Sequence, residues 1–420
     1  MEGTVRPSEM PKSRIRGIDI CRSVAILLAM WSHVFVTFGA RWEGLSYSWV
    51  RFSMQMAPIV FICLFGSMLE IAYSKKFEQG RIREAVLRLM QRAGQCYVLY
   101  VLSVLALYVA DRYSLGYAIR TMLLAGVTPF TDILKFYAIA LFLAPALIWF
   151  RRRAGLGALL GCAMLVHLAH PLLAMISVTA RPGSKHYLGP ILGFLYGGSD
   201  AGVGAPSLLH GLSIVCVGIA LGAAIDMLFS EDGAKRRRGA VIFAGVFGCS
   251  LAASLLMWTD TMDVLRGIVS LRIRNANEPF YYALGLAATI SFLAACLLTF
   301  DRWQFRFLDW LRFIGTTSLF TFCFGNVLLY TTPMSLHPHE PWVPAVAYMV
   351  LIPVQSWVFW WLTSTAHGKA SILGLIVART MERANELIGL LAKPFADRYA
   401  RLLPQEVDRI TTQNMHSVAN

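Results

Sequence analysis

Apolar stretches about as long as a bilayer is thick follow one another through almost the whole chain, and nothing constrains its fold more. A helix crossing the hydrocarbon core needs about 20 mostly apolar residues. Ten such segments occur, at roughly 20–39, 56–73, 93–110, 133–150, 155–176, 206–229, 239–258, 279–300, 314–332 and 343–365. Arg151, Arg152 and Arg153 are what divides the fourth from the fifth. No interval between segments could hold a soluble domain. Hydrophobic residues make up 57% of the 420, above the roughly half of a soluble domain. The sequence therefore predicts an all-α fold, a polytopic integral membrane bundle of about ten transmembrane helices over residues 14–365. A polar, disordered segment 1–13 precedes it and an amphipathic tail, 366–420, follows.

A net charge of +14 raises the question of nucleic acid, and its distribution answers it. With the N-terminus inside, the alternate inner stretches carry 27 Lys and Arg and the outer ones 9. That asymmetry is the positive-inside rule for a protein with both termini cytoplasmic. The charge is a topology signal, and no nucleic-acid partner is expected. Lys12, Arg14 and Arg16 before the first apolar run imitate a signal peptide. The run is longer than a usual h-region and shows no small-residue cleavage site, so it reads as a retained first helix.

All eight cysteines fall inside apolar segments without CxxC spacing, which suits packing rather than disulfides or zinc. Residues 74–92 set Ile82, Val86 and Leu89 against Arg81, Arg83, Arg88 and Arg92, the pattern of an interfacial helix on the cytoplasmic face. The tail repeats that pattern with Ile372, Leu375, Ile376, Leu387 and Leu391 among Arg379, Arg383 and Lys393. The largest outer loop, 177–205, has too much Gly and Pro for a long helix and too many aromatic residues for a free linker. It is either a lid-like element or an ordered connector. No internal repeat of the kind many transporters carry is visible.

Ionisable groups inside lipid are expensive, about 2.5–3.5 kcal/mol near the centre on insertion scales. The first helix holds two, Arg22 and His33. Eleven residues turn a helix through about 1100°, within about 20° of three full turns, so both share one stripe about 16 Å apart. Asp19, three residues before Arg22, is placed to pair with it. A cationic mouth with a histidine deep in the membrane suits a donor whose phosphates stay at the surface while a long arm carries the reactive group inward. A neutral imidazole there can abstract a hydroxyl proton near neutral pH. Spacing alone also fits a membrane anchor and a packing histidine.

The run Arg16–His33 (RGIDICRSVAILLAMWSH) resembles the opening motif of the membrane-bound acyltransferase-3 family. The shared pattern is a basic residue, an apolar residue before Asp, then Arg, ten residues and His closing the apolar run. Ser23 stands where the family usually has Gly. Residues 56–73 resemble the family's second helix. Residues 88–101 and 131–145 resemble the branch that succinylates periplasmic glucans. Residues 313–329 resemble the late Gly…Ser…aromatic helix, but Asn326 stands near where many members carry His, so no second catalytic histidine carries over. The first-helix motif is the specific part of a resemblance covering about 14–365.

What the resemblance implies is an acyltransferase of a bacterial inner membrane. It would move succinyl or acetyl from cytosolic acyl-CoA to a hydroxyl of an extracytoplasmic glycan, with acyl-CoA as co-substrate and no bound cofactor or metal. His33 becomes the base, and an acyl-histidine intermediate stays open. Arg22 with Asp19 becomes a donor-site element, and Arg16 and Arg14 face the CoA phosphates, with Arg88 and Arg92 as candidates for the same mouth. The competing readings are a secondary transporter using Arg22 and His33, and a sensor or scaffold without chemistry. Elsewhere, His167 and His170 share a helix face but lack a nearby carboxylate, so they read as polar lining. His337, Pro338, His339 and Glu340 read as a surface turn. Asp132 and Lys135 read as a local ion pair, with Asp132 or Tyr137 a less favoured sugar contact. Trp42, Trp49 and Trp342 fit an interfacial belt.

Overall fold

A computed structural model describes residues 15–175, 188–197, 206–333 and 340–403. Residues 1–13, Arg14, most of the loop 177–205, the His337–His339 turn and the end from Pro404 lie outside them. All regular elements among the described residues are helical. The long ones are α1 (Arg16–Phe38), α2 (Leu45–Leu69), α3 (Ile82–Val109), α4 (Asp132–Leu168), α5 (Leu208–Leu228), α6 (Gly233–Leu256), α7 (Pro279–Cys296), α8 (Ser318–Tyr330), α9 (Trp342–Ser364) and α10 (Ile372–Leu402).

Eight described helices are long and apolar enough to cross a membrane, or nine if Asp309–Thr316 and Ser318–Tyr330, bent by 74°, form one span. With that pair counted, the remaining difference from the expected ten lies in α4, where the fourth and fifth segments are joined. Gly155 breaks this helix with φ 84° and ψ 174°, a conformation open to glycine and strained for other residues. Phe136 lies against Gly211 of α5, Arg151 reaches Glu70 at 2.5 Å beside Gly222 of α5, and His167 returns to Ser213 at 2.7 Å. The two halves of α4 therefore run in opposite directions along α5. The returning half, 156–168, is too short to count as a span by length.

Two helices begin about eleven residues before their apolar segments. α2 starts at Leu45, so the polar run 45–55 expected in a loop is helical. α3 starts at Ile82, so the stretch expected to lie in the interface is the first part of a long helix. In both cases no Gly or Pro interrupts the backbone; in α2 the polar Arg51 and Gln55 face other helices, whereas in α3 Arg83, Arg88 and Arg92 are exposed and the apolar side is buried. Leu89 and Val86 are fully buried, as is Ala85.

α5 is the central post, with 89% of its most apolar window buried, against 11% for α6 and 17% for α9. Small residues let α2 and α5 touch backbone to backbone. A Cβ on Gly218 would come within 3.0 Å of the Gly66 Cα, and the Ser67 hydroxyl lies 2.9 Å from the Gly218 carbonyl. Such contacts replace the hydrophobic drive that lipid does not supply. α10 docks on α3 through Arg83 and Asp397 at 2.6 Å, Gln95 and Asn385 at 2.6 Å, and Ile388 against Gly94. The Arg83 guanidinium holds the Asp397 carboxyl below the usual aspartate range. Leu373, Leu387, Leu390 and Phe395 face outward.

Candidate active site

His33 sits in the second half of α1, partly buried. Its Nδ1 lies 2.8 Å from Asn326 Oδ1 on α8. The Asn326 amide donates from Nδ2 to the Phe322 carbonyl at 2.7 Å, which fixes which end of the amide faces the histidine. Oδ1 can only accept, so the hydrogen-bond network puts the proton on Nδ1 and leaves the Nε2 lone pair as the basic position. Phe130 stacks on the ring with centroids 4.3 Å apart, and Phe322 meets it edge-on at 5.6 Å.

Phe130 is held there by buried polar contacts. Its backbone N–H donates to the Tyr330 hydroxyl at 3.1 Å. Lys135 Nζ donates to the Gly126 carbonyl at 2.8 Å and lies 3.7 Å from Asp132. Asp132 Oδ1 accepts from the Thr128 N–H and hydroxyl at 3.0 and 2.9 Å. The expected Asp132–Lys135 ion pair is present and buried, and it ties down the loop 126–131. With its side chain enclosed, Asp132 is not presented as a sugar contact.

A cavity of about 1290 Å³ lies beside α1. Arg22, Arg92, Gln95 and Tyr137 line it, and Ile26, Leu134 and Phe322 line it closer to His33, which is not itself part of the wall. The tail helix supplies another part of the lining through Thr380, Ala384, Asn385 and Ile388. The tail helix and the membrane bundle thus share one wall of this cavity.

The residues expected at a donor site separate. Arg22 lines the cavity. Asp19 is buried and its carboxylate lies 3.5 Å from Arg312, where Gly315 packs so closely that a Cβ would fall 2.6 Å from the Asp19 carbonyl oxygen. The Arg16 and Gly17 N–H groups donate to the Asp301 carboxylate at 2.9 and 2.7 Å. Asp301 thereby satisfies orphan donors at the first turn of α1. Of the two further arginines, Arg92 lines the cavity, whereas Arg88 pairs with Glu84 at 2.9 Å. Arg14 is outside the described residues.

A second polar group sits level with His33 on the α2 side. Arg51 Nη1 donates to the Ser32 hydroxyl at 3.0 Å, Gln55 Nε2 to the same hydroxyl at 3.3 Å, and Arg274 Nη1 to Gln55 Oε1 at 3.2 Å. Tyr281 closes the group on the Gln55 carbonyl at 2.8 Å. Arg274 and Arg51 both act electrostatically on the His33 ring. Sequence reading missed Arg51, counted in a loop. It noted Asn326 only as a departure from the family pattern, although a carboxamide in an apolar helix is itself a costly group.

Three other histidines, His167, His170 and His210, form a separate cluster. His167 pairs with Ser213, His210 lies 2.7 Å from Ser207 and stacks on Tyr282, and His170 lies beside His210. Among the described residues no group of three or more His, Cys, Asp or Glu could hold a metal ion.

Comparison with known families finds a match over residues 14–125 to the family described as OpgC protein. That stretch contains α1, α2, α3 and therefore Asp19, Arg22, His33 and Arg51. No curated protein matches the chain.

Proposed function

We propose that this protein is a membrane acyltransferase that moves an acyl group, succinyl or acetyl, from cytosolic acyl-CoA to a hydroxyl of an extracytoplasmic glycan. The observation that carries this reading is His33, pinned through Nδ1 by Asn326 with Nε2 left as a base, on the same helix as the cavity-lining Arg22. The matched family is related to glucan succinyltransferases, and the acyltransferase-3-like motif falls on the same α1. The 27-to-9 charge asymmetry supports a cytoplasmic face at the Arg22 end, where acyl-CoA is available.

In this mechanism Arg22, with Arg92 beside it in the wall, attracts the donor phosphates. The flexible arm runs along the apolar lining toward Phe322 and passes that ring to bring the thioester to His33. Nε2 takes the proton from the acceptor hydroxyl as its oxygen attacks the thioester carbonyl. The new C–O bond forms, the C–S bond breaks, and the CoA thiolate recovers the proton from Nε2. Arg16 and Arg14 would assist at the donor's charged end. Asp19 acts there by fixing the Arg312 segment against α1.

Base catalysis typically contributes about 10²–10⁴-fold. His33→Ala and His33→Gln should therefore nearly abolish glycan acylation while the protein inserts and accumulates normally. His167→Ala, in the separate cluster, should retain most activity. Purified His33→Ala enzyme acylating its acceptor near the wild-type rate would refute the mechanism. A transporter built on Arg22 and His33 would instead lose uptake of its solute, with envelope glycans unchanged by mass spectrometry.

A further inference from the structure

Five Asp, Glu, Lys or Arg residues are buried among the described residues: Asp19, Arg51, Glu70, Asp132 and Lys135. Four of them sit in opposite-charge pairs, Asp19 with Arg312, Glu70 with Arg151, and Asp132 with Lys135. Arg51 does not. It is 4% exposed, and its side-chain hydrogen bonds go to the neutral Ser32 carbonyl and hydroxyl. Among the described residues its Nε has no partner. The groups acting on it electrostatically are the cations Arg274 and Arg41 and the Tyr47 hydroxyl. A lone buried guanidinium beside other cations is costly to maintain, because no counter-charge among the described residues offsets its desolvation. Hydrogen bonds to a serine do not require an arginine.

We infer that Arg51 receives a negatively charged group, carboxylate or phosphate, carried into the site by a substrate. The guanidinium fork suits such a group, since two parallel N–H donors can meet two oxygens. Its place is set by Ser32, the residue preceding His33, so the bound anion lies at the level of the base and about 16 Å along α1 from Arg22. Two sources share that chemistry. One is a free carboxylate at the far end of the transferred acyl chain, which leads the donor's arm past His33. The other is an anionic substituent on the glycan acceptor. The inference rests on the acyl-transfer reading for these two sources, though not for the presence of an anion site.

Binding and transfer test it separately, both on full-length protein in nanodiscs. Monomethyl succinate and inorganic phosphate are the probes for binding. At least one should raise the thermal midpoint of wild type and fail to raise that of Arg51→Met, with Arg51→Lys in between. For transfer, succinyl-CoA is compared with butyryl-CoA, and an unsubstituted glucan with one bearing phosphate groups. Loss of a charge-assisted contact should raise KM about 10-fold or more for the anionic partner alone. If it does so for succinyl-CoA, the anion belongs to the acyl chain. If it does so for the phosphate-bearing glucan, it belongs to the acceptor. An Arg51-dependent midpoint shift in a protein with no transferase activity would keep the anion site and discard the acyl-transfer reading. Failure of both probes to stabilise wild type, or an equal loss for all four substrate combinations in Arg51→Met, overturns the inference.

Discussion

Replacing Asn326 by leucine keeps most of the side-chain volume and removes the one acceptor that holds the proton on His33 Nδ1. In the native protein the 2.8 Å contact to Oδ1 selects the tautomer with Nε2 free, and the bond from Nδ2 to the Phe322 carbonyl keeps the amide from turning over. A net neutral hydrogen bond contributes about 0.5–1.5 kcal/mol, and about 1.4 kcal/mol is tenfold in a population. Losing it should therefore lower the ratio of productive to unproductive tautomer about 2- to 12-fold, and kcat by no more than that. The ring itself stays clamped between Phe130 and Phe322, so the loss remains far smaller than the roughly 10²–10⁴-fold expected on removing the base. Asn326→Asp keeps an acceptor at Nδ1 and should hold kcat closer to wild type than leucine does. The assay is steady-state transfer from acyl-CoA to purified glucan, with expression and thermal midpoint as controls on folding. Wild-type kcat in Asn326→Leu, or an equal fall in the leucine and aspartate variants, would show that the amide does not set the tautomer.

The remaining predictions concern the donor end and the orientation of the chain. Arg22→Ala should raise KM for acyl-CoA about 10- to 100-fold, the range of a charge-assisted contact, and Arg22→Lys should recover part of it because a point charge lacks the bidentate fork. An unchanged dependence on acyl-CoA concentration would make Arg22 an anchor only. The charge asymmetry predicts that reporter fusions after Arg238 and at the C-terminus sit in the cytoplasm and that one near Ser184 sits outside. A C-terminal fusion active only outside would reverse the faces assigned to donor and acceptor.

Much of the architecture is written in hydropathy, because the bilayer sets one length for every crossing and leaves backbone polar groups no solvent. Hydropathy fails where a helix turns a polar side toward its neighbours. Leu45–Gln55 read as a loop for that reason, which hid Arg51 inside α2, whereas the exposed Arg83, Arg88 and Arg92 made Ile82–Arg92 read as an interface. Gly155 gave a different error. The arginines before it mark the end of a segment, yet the count of spans depends on a backbone angle that the apolar pattern does not record. At the site, the Arg22–His33 stripe was legible because it depends on helical period alone. The contacts of His33 with Asn326 and Phe130 were not, since those residues lie 293 and 97 positions away and only packing brings them to α1.

The same distinction separates the structural charges from the functional candidates. Asp19, Asp132 and Glu70 would each be expensive alone, and each is matched by a cation whose position makes sense of it. Asp19 holds the Arg312–Thr316 turn that leads into α8, and so fixes the helix that bears Asn326. Asp132 and Lys135 hold the loop that bears Phe130. Ion pairs of this kind are weak evidence for stability, because desolvation opposes their attraction. Here the Asp19–Arg312 and Asp132–Lys135 pairs each secure a segment that leads to a residue touching His33. Their contribution is therefore to restrict the ring's orientation from two sides, which a base needs if its lone pair is to meet a hydroxyl within hydrogen-bond distance. Arg51, on α2 and bonded to the residue that precedes His33, is the buried charge among the described residues that no such pair accounts for.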